Sequence, residues 1–596
     1  MPTLREVTRG VAGLVPRVLP VAAAARTLFF ARPTTERSIA WYVARAAERW
    51  PDLDAVRTPE GAITFRELDH DANRLANGLR RLGVRQGDNV VLMLENRIEY
   101  LMTLAAISKL GAAAVLINTQ QRQDVLVHSL NACAPSAFVV GEECVGAVEE
   151  VRASVPALDG GRAVWFSDRR GGGVPGGYHD ADVLLRENDP VPPWLAEPMK
   201  LGDTAYYVFT SGTTGLPKAS VMSHLRWEKA GRVFGRLAFR LKPGEAVYAP
   251  LPLFHNNALT IGFGMCLIHG AAFATRRRFS ASQFLADCER FRAKGFIYIG
   301  EVPQYLMALP ESPNDAAHAP LLALGNGLRT NVWSAFKRRF NVREVYEIYA
   351  ASEMNISFLN ILNLDETVGV CPASWALVKY DPETGLPLRN AEGRLEEVAH
   401  GEPGLLIAEV TKRYTYDGYS DAAASETKLV RDAFKDGDVW FVSGDLLRDV
   451  GYWHLQFVDR IGDTFRWKGE NVSTLEVERA FAGLPGMREC TVVGVEVPGQ
   501  PGRAGLAAVV GDAGMDPTAW LEVLRGQLPA YAIPVFVRRV ESLSVTGTFK
   551  HRKVELRREG ADPTRVTDPL WVLDGNAYVP LDRSRWERLA SGEFRL

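Results

Sequence analysis

The sequence has 596 residues, which exceeds the size at which one hydrophobic core stops growing, so we expect at least two domains. Hydrophobic residues make up 47% and charged residues 23% of the chain, a composition that argues against intrinsic disorder. The 69 basic residues are balanced by 71 acidic ones, so the chain has no excess of positive charge of the kind that binds nucleic acid. A small-molecule partner is therefore favoured. The six scattered cysteines include no C-x-x-C pair, so neither a zinc site nor a disulfide framework is indicated, and a cytoplasmic location is predicted.

The most apolar stretch near the N-terminus is VAGLVPRVLPVAAAARTLFF, residues 11–30. Pro16, Arg17, Pro20 and Arg26 interrupt it, so it falls short of the roughly 20 uninterrupted apolar residues of a membrane span. A signal peptide does not usually carry an arginine inside its apolar region. We expect an amphipathic segment docked on its own domain, with peripheral membrane contact as the alternative.

Helix and strand patterns alternate from about residue 38 to residue 145. ITFRELDHDANRLANGLRRLG predicts a helix, NVVLMLEN a short buried strand, and EYLMTLAAISKLG a helix that ends at Gly111. This alternation indicates an α/β architecture with a largely parallel sheet. Residues 155–200, rich in glycine pairs, are predicted to be an irregular connection, and the alternation resumes from AYYVF to about residue 360.

The pattern changes near the C-terminus. A helix (TLEVERAFAGL), two strands (ECTVVGVEV and GLAAVVG), a helix (AWLEVLRGQL) and a further strand (VFVRRVESL) are enough for a small α+β domain. We therefore predict a large N-terminal domain over residues 1–460 and a small C-terminal domain over residues 461–596.

The stretch TSGTTGLPK has the composition of a phosphate-binding loop. Gly212 and Gly215 permit close backbone approach, and Lys218 supplies a cation that can follow the phosphate charge. Hydroxyl donors come from Thr210, Ser211, Thr213 and Thr214. A P-loop is excluded because its lysine directly follows the second glycine, whereas Leu216 and Pro217 intervene here. By composition alone, a hydroxyl-rich turn without function remains the alternative.

The stretch YVFTSGTTGLPKAS resembles the phosphate-loop signature of the adenylate-forming enzymes. Further matches follow in that family's order: LPLFHNNAL (251–259), YAASE (349–353), SGD (443–445), DRIGDTFRWKGENVS (459–473) and TGTFK (546–550). The last two, with YAASE, look like the fatty acid transport protein and very-long-chain acyl-CoA synthetase subgroup, including bacterial long-chain fatty acid CoA ligases. The resemblance implies the adenylate-forming fold, with several α/β subdomains in the large domain and a small mobile C-terminal domain. It also implies that the protein uses ATP, that Mg²⁺ is its metal, and that coenzyme A is its co-substrate.

The resemblance also implies roles for individual residues. Glu353 matches the Mg²⁺ ligand, which is also catalytic, and Tyr349 matches the ring that stacks on adenine. Ser352 matches a hydroxyl near the α-phosphate, Asp445 the carboxylate that grips the ribose hydroxyls, and Arg460 a ribose or phosphate contact. The whole loop from Thr210 to Gly215, with Lys218, is assigned to ATP binding, and Thr214 also to catalysis. Taken singly, Glu353 would be a surface acid, and Asp445 with Arg460 a loop ion pair.

Two further catalytic assignments rest on the same resemblance. Lys550 matches the C-terminal-domain lysine that serves adenylation, and rotation of that domain would replace it by the face around Arg466, Lys468 and Gly469 for attack by the thiol. His255 matches a gate between the nucleotide and acyl pockets. A solvated lysine and a core histidine are the respective alternatives.

The acyl pocket is expected to draw on LTIGFGMCL and VPQYLMAL. The chain departs from its subgroup at Met354, where glycine is usual, and at Ser443, where threonine is usual. A methionine beside the acyl and metal sites would reshape the pocket or weaken ATP positioning. The hinge position falls at Gly462 or Asp463.

The predicted function is ATP-dependent ligation of an apolar, long-chain carboxylic acid to coenzyme A. The alternatives are a ligase for a bulky terpenoid or aromatic acid with weakened adenylation, an acyl-AMP ligase that loads a carrier protein, and a non-enzymatic lipid-uptake protein. The predicted partners are the acid, ATP and coenzyme A, without nucleic acid. Peripheral membrane contact and a homodimer are further expectations.

Overall fold

The computed structural model describes residues 2–168, 172–210, 216–382, 384–468, 470–498, 500, 502–543, 553–591 and 593–594. The α-helices of this part of the chain are α1 (Leu4–Leu14), α2 (Val18–Phe30), α3 (Ile39–Arg49), α4 (Phe65–Arg81), α5 (Ile98–Lys109), α6 (Gln123–Asn131), α7 (Glu142–Glu150), α8 (Ala181–Glu187), α9 (His224–Leu237), α10 (Gly264–His269), α11 (Phe284–Arg290), α12 (Glu301–Met307), α13 (Thr330–Arg339), α14 (Ala422–Glu426), α15 (Thr474–Phe481), α16 (Leu521–Gln527), α17 (Lys553–Glu559) and α18 (Arg583–Ala590).

The strands of the same part are β1 (Asp54–Thr58), β2 (Gly61–Thr64), β3 (Asn89–Met93), β4 (Ala113–Leu116), β5 (Ala137–Gly141), β6 (Ala163–Phe166), β7 (Tyr178–Asp180), β8 (Thr204–Thr210), β9 (Lys218–Ser223), β10 (Ala246–Tyr248), β11 (Ala272–Ala274), β12 (Ala293–Ile299), β13 (Leu321–Asn326), β14 (Val342–Tyr349), β15 (Phe358–Leu359), β16 (Trp375–Val378), β17 (Pro403–Glu409), β18 (Leu429–Arg431), β19 (Val439–Asp449), β20 (Leu455–Arg460), β21 (Phe465–Trp467), β22 (Glu470–Val472), β23 (Met487–Glu496), β24 (Arg503–Gly511), β25 (Phe536–Arg539), β26 (Leu570–Asp574) and β27 (Ala577–Pro580).

Two largely parallel sheets form the large region, as the alternating pattern predicts. The first has the strand order β7-β6-β5-β3-β4-β8-β9, and its β8–β9 pair is antiparallel. The second has the order β15-β14-β13-β12-β10-β11-β1-β2, with antiparallel pairs at its two edges. Strands such as β4 and β5 are buried along their whole length because helices cover both faces of a parallel sheet.

A third, antiparallel sheet has the path β16-β17-β19-β18, with β20 paired to β19. It carries residues of the SGD and DRIG motifs at its β19–β20 pair, where Asp445 lies opposite Arg460. The three sheets together therefore bring the separate motifs of the large region towards one place.

The C-terminal region has its own sheet, β23-β24-β25-β26-β27, and its own buried core. The predicted helices and strands of this region are confirmed, and α17, β26, β27 and α18 are additional to the prediction. A large region and a smaller α+β region are thus present, while the boundary at residue 461 remains a prediction.

The prediction of an irregular connection over residues 155–200 is wrong in part. Strands β6 and β7 extend the first sheet, and α8 packs on α4, where Leu184 lies against Gly78. The glycine-rich composition concealed these short elements because β6 and β7 depend on pairing at the edge of the first sheet, and α8 depends on packing against α4, which lies about a hundred residues earlier in the chain.

The N-terminal apolar segment is helical from Leu4 to Phe30, through α1, a short 3₁₀ turn at Val15–Arg17, and α2. By length and composition alone this stretch is sufficient to cross a membrane, which differs from our expectation, and little of it is buried. Pro16 and Pro20 do not break it because they fall in the first turns of the 3₁₀ and α2 helices, where a missing backbone N–H costs nothing.

Candidate active site

The glycine-rich loop closes an antiparallel hairpin in the first sheet. Thr210 ends β8 and lies opposite Lys218, which begins β9. The loop residues Ser211, Gly212, Thr213, Thr214 and Gly215 lie outside the described residues. The pairing of β8 with β9 fixes the two residues that flank the loop, Thr210 and Lys218, next to each other at the end of the hairpin.

A tyrosine that we did not identify from the sequence joins this hairpin to the acidic motif. Tyr419 is buried and pairs with Ser220 of β9, and the Lys218 Nζ lies 5.6 Å from the centre of its ring. Burial raises the pKa of the Tyr419 hydroxyl, and the adjacent Glu353 carboxylate raises it further. The phenol therefore stays protonated beside Glu353, and the predicted metal ligand and the predicted phosphate lysine share one neighbour.

Tyr349, Asp445 and Arg460 form a second group. The Tyr349 hydroxyl donates a hydrogen bond of 2.6 Å to Asp445 Oδ2, and the Arg460 Nε lies 3.5 Å from Asp445 Oδ1. Burial, followed by the charge of Asp445, raises the pKa of Tyr349 well above its ordinary value, so the phenol remains a donor. Three residues predicted to bind adenosine are thus in direct contact, and Asp445 presents both carboxylate oxygens to this group.

A half-buried arginine holds the backbone of the acidic motif. The Arg226 guanidinium, on α9, donates hydrogen bonds to the carbonyl oxygens of Ser352 (2.6 Å) and Met354 (2.9 Å). The Ser352 hydroxyl in turn accepts a hydrogen bond of 2.9 Å from Asn256. Arg226 and Asn256 therefore fix the segment from which Glu353 projects. The sequence contains no signal for the role of Arg226, because it lies 126 positions from Ser352.

An apolar cavity of about 860 Å³ begins beside this segment. Such a volume lies near the upper end of the range of about 300–1,000 Å³ that is usual for small-molecule sites. Ser352, Met354 and Asn256 line one part of it, and the apolar walls come from α2, α9, β15 and neighbouring loops. The expected segment LTIGFGMCL contributes Thr260 and Ile261, whereas VPQYLMAL does not line this cavity and instead forms α12.

Met354 is buried and lines the cavity, and its effect on the shape of the pocket stays a prediction. Its side chain packs in the cluster that contains Tyr349 and Phe358. Ser443, the second departure, donates a hydrogen bond of 2.8 Å to the Leu406 carbonyl and accepts one of 3.0 Å from the Asp445 amide. Its hydroxyl thus positions the Asp445 backbone.

The remaining predicted residues lie at different places. His255 is partly buried with its ring 4.7 Å from that of Phe254, and it precedes the cavity-lining Asn256 without lining the cavity itself. Arg466 and Lys468 belong to the C-terminal region, in and directly after β21, where Lys468 has a φ of 50°. Gly469 and Lys550 lie outside the described residues.

The metal expectation can be compared with the donors present. Within the described ranges no group of three or more His, Cys, Asp and Glu side chains could hold a metal ion. A single carboxylate such as Glu353 fits Mg²⁺, because this ion commonly takes one or two protein carboxylates and completes its shell with substrate phosphates and water.

The parallel sheets, the hairpin loop and the ordered groups around Glu353 and Asp445 define an adenylate-forming enzyme. The chain belongs to the AMP-binding enzyme family: the sequence profile of that family matches residues 43–410, and the profile of the AMP-binding enzyme C-terminal domain matches residues 476–550.

Curated relatives match along nearly the whole chain. The chain is 44% identical over 576 residues to the medium/long-chain-fatty-acid–CoA ligase FadD6 of Mycobacterium tuberculosis, covering 95% of this chain and 94% of the relative. It is 38% identical over 552 residues to the human long-chain fatty acid transport protein 1, covering 89% and 84%. The subgroup resemblance drawn from the motifs is therefore confirmed.

Solved structures confirm the fold. The anthranilate CoA ligase AuaEII in complex with anthranoyl-AMP superposes with a TM-score of 0.73 at 22% identity, over 88% of this chain and 97% of that chain. The ATP-bound MatB of Rhodopseudomonas palustris gives 0.72 at 22% identity, over 87% and 98%.

Proposed function

We propose that the chain is an AMP-forming acyl-CoA ligase for an apolar, long-chain carboxylic acid. The observation that carries this proposal is the apolar cavity that begins at Ser352, next to the Glu353 and Lys218 group. Relatives named as long-chain fatty acid–CoA ligase and transport proteins support the same class of acid. An acid whose tail lies in the cavity would have its carboxylate at the phosphate-binding end.

The reaction has two half-reactions. A carboxylate oxygen of the acid attacks the α-phosphorus of ATP, and pyrophosphate leaves as the acyl-AMP forms. The deprotonated thiol of coenzyme A then attacks the acyl carbonyl, and AMP leaves with the bonding electron pair. Because the first step brings two anions together, a site for it must concentrate positive charge at the phosphates.

The described side chains have distinct roles in this proposal. Lys218 and the hairpin loop bind the pyrophosphate portion, and Glu353 with the phosphate oxygens would hold Mg²⁺, which supplies charge neutralisation when bound. Asp445 accepts hydrogen bonds from the ribose hydroxyls, Tyr349 provides an adenine surface, and Arg460 adds a cation beside the nucleotide. His255 remains proposed as a gate.

The test of this function is ATP–pyrophosphate exchange, followed by thioester formation, with acids of different size. We expect robust exchange with long-chain fatty acids and a thioester with free coenzyme A. A preference for terpenoid or aromatic acids would favour the bulky-acid alternative, and thioester formation only with a carrier protein would favour the carrier-loading alternative. Absence of exchange with every acid would contradict the proposal.

The role of Lys550 can be tested by substitution. A cation near the developing charge is worth several kcal/mol, so Lys550→Ala is expected to lower acyl-AMP formation by about a hundredfold or more. Transfer from supplied acyl-AMP to coenzyme A should survive, since the lysine serves only the first half-reaction. Lys435→Ala, at a side chain that is 74% exposed, is the control. Equal loss of both half-reactions would contradict this role.

We also propose that the protein is cytoplasmic and contacts a membrane peripherally through its N-terminal helices. Leu19 and Phe30 are 81% and 70% exposed, and Leu4, Val15 and Val18 are exposed in the same segment. Double substitution of Leu19 and Phe30 by glutamate is expected to reduce cosedimentation with phospholipid vesicles, whereas the same change at Val191 and Trp194, exposed apolar residues elsewhere, should not. Equal binding by all three proteins would contradict the contact.

A homodimer remains a prediction that light scattering would test.

A further inference from the structure

Helix α2 forms a wall of the apolar cavity although it lies outside both family-profile matches. The first match begins at residue 43, whereas α2 ends at Phe30. Five α2 residues line the cavity: Val21, Ala24, Ala25, Leu28 and Phe29. The family profile therefore does not account for this wall, and it includes the apolar N-terminal segment whose docking the sequence left open.

The lining residues follow the spacing of one helix face. Val21, Ala24, Ala25 and Leu28 recur at intervals of three and four, so their side chains point the same way along α2. The adjoining wall is α9, which packs on α2 and contributes Leu225, Val233, Phe234 and Leu237 among others. Apolar side chains from these two helices thus form one continuous side of the cavity, and the two alanines are the small residues on the α2 part of it.

Polar contacts hold both ends of this wall. At the N-terminal end, Arg17 donates a hydrogen bond of 2.8 Å to the Tyr346 hydroxyl and lies 3.5 Å from the Glu344 carboxylate. At the C-terminal end, the Arg413 guanidinium lies 5.0 Å from the centre of the Phe29 ring. Because both ends are tied to the large region, the position of the α2 face relative to α9 is defined by the fold.

We propose that α2 is a specificity-determining element that sets the largest acid tail the cavity accepts. This inference rests on the proposed acyl-CoA ligase function. Both alanines line the cavity, but Ala24 is only 1% exposed and packs into the core, whereas Ala25 is partly exposed. A large side chain at Ala25 would occupy tail space directly, while the carboxylate end at Ser352 would be unchanged.

The matched substitutions are Ala25→Phe and Ala22→Phe. Ala22 lies on the same helix but is exposed and does not line the cavity. In ATP–pyrophosphate exchange, Ala25→Phe is expected to lower kcat/KM for oleate by about tenfold or more, with octanoate changed by less than about threefold. Ala22→Phe should leave both acids within about twofold of the original protein.

The opposite change gives a second test that does not add bulk. Leu28→Ala enlarges the cavity and is expected to raise the ratio of oleate to octanoate kcat/KM. The result for either variant is interpreted only if thermal unfolding shows that the variant is folded. If Ala25→Phe does not fold, the Leu28→Ala ratio decides, and an unchanged ratio overturns the proposal.

The outcomes separate this inference from the proposed function. Displacement of a fluorescent long-chain fatty acid from the protein measures tail binding without any reaction. If no acid supports exchange, the proposed function is wrong. The α2 proposal is then decided by the displacement assay, in which Ala25→Phe should weaken displacement of the fluorescent fatty acid by oleate but not by octanoate. Equal effects of Ala25→Phe on the two acids, or effects as large in Ala22→Phe, would overturn it.

Discussion

Individual residues of the site fall into two groups according to what positions them. Lys218 and Thr210 are held by the pairing of adjacent strands, so the short spacing in TSGTTGLPK already implies their proximity. Tyr419 and Arg226 reach the same site through contacts distant in sequence, and no local sequence pattern marks either of them as a site residue. Short spacing therefore predicted that Thr210 and Lys218 lie close together, while the residues that support the acidic motif could be found only from the fold.

The Asp445 carboxylate gives a prediction at this scale. Asp445→Asn keeps the shape of the side chain but removes its charge and one acceptor, so we expect the Kd for ATP to rise by about tenfold or more. Asp449→Asn is the matched control because Asp449 lies on the same strand and is paired near the surface with His400. Titration calorimetry of both variants makes the comparison, and equal affinities would contradict the ribose assignment.

Among the elements, the helices and strands with strong periodicity were predicted best. Helix α4 begins at a capping box formed by Thr64 and Glu67 and continues with regular apolar spacing, so its limits are local properties. Strands β6 and β7 are only four and three residues long, and they form because they can pair at the edge of the first sheet. Short elements depend on partners, which the sequence pattern does not contain.

The start of α9 gives a prediction about pH. His224 is fully buried, its Nδ1 accepts a hydrogen bond of 3.2 Å from the Ile39 amide, and burial lowers its pKa to about 3. As the pH falls through about 6.5, the His224 imidazole therefore takes up a proton in the unfolded state but stays neutral in the folded state. The resulting stability is present above that pH and declines by up to about 1.4 kcal/mol per pH unit below it.

This effect is measurable by denaturant unfolding at pH 7 and pH 5. His224→Gln is expected to be less stable than the original protein at pH 7, yet to lose less stability between the two pH values, because the titrating group is gone. His318→Gln, at a histidine outside the core, should retain the original pH dependence. The same loss in all three proteins would rule out His224 as the source.

At the scale of the whole molecule, a buried ion pair joins the large and C-terminal regions. Arg329, between β13 and α13, lies 3.1 Å from the Glu478 carboxylate of α15, and Lys553 lies 3.0 Å from the same group. Burial alone would raise the pKa of Glu478, but the charges of Lys553 and Arg329 hold it below its ordinary value. The carboxylate thus stays ionised, and the contact depends on the relative position of the two regions.

If the C-terminal domain rotates between half-reactions, this contact stabilises one of the two arrangements. Arg329→Gln is therefore expected to slow one half-reaction by about three- to thirtyfold and not to slow the other. The reason is that loss of a buried charge partner destabilises only the arrangement in which Arg329 and Glu478 are in contact. Arg343→Gln, at an exposed arginine, is the control. Separate assays of acyl-AMP formation and of thioester formation decide, and unchanged rates in both would contradict the coupling.

The sequence by itself determined the reaction class, through the resemblance of its ordered motifs to those of the adenylate-forming enzymes. It also determined the two-region α/β architecture, because strand–helix alternation and capping are local and survive in the linear order of residues. Only the tertiary structure decided what surrounds the acid. Met354, Arg226 and the α2 face meet at one cavity although they come from widely separated parts of the chain. In our proposal the walls of this cavity limit the size of the acid, and the separation of the walls depends on long-range packing rather than on any single stretch of sequence.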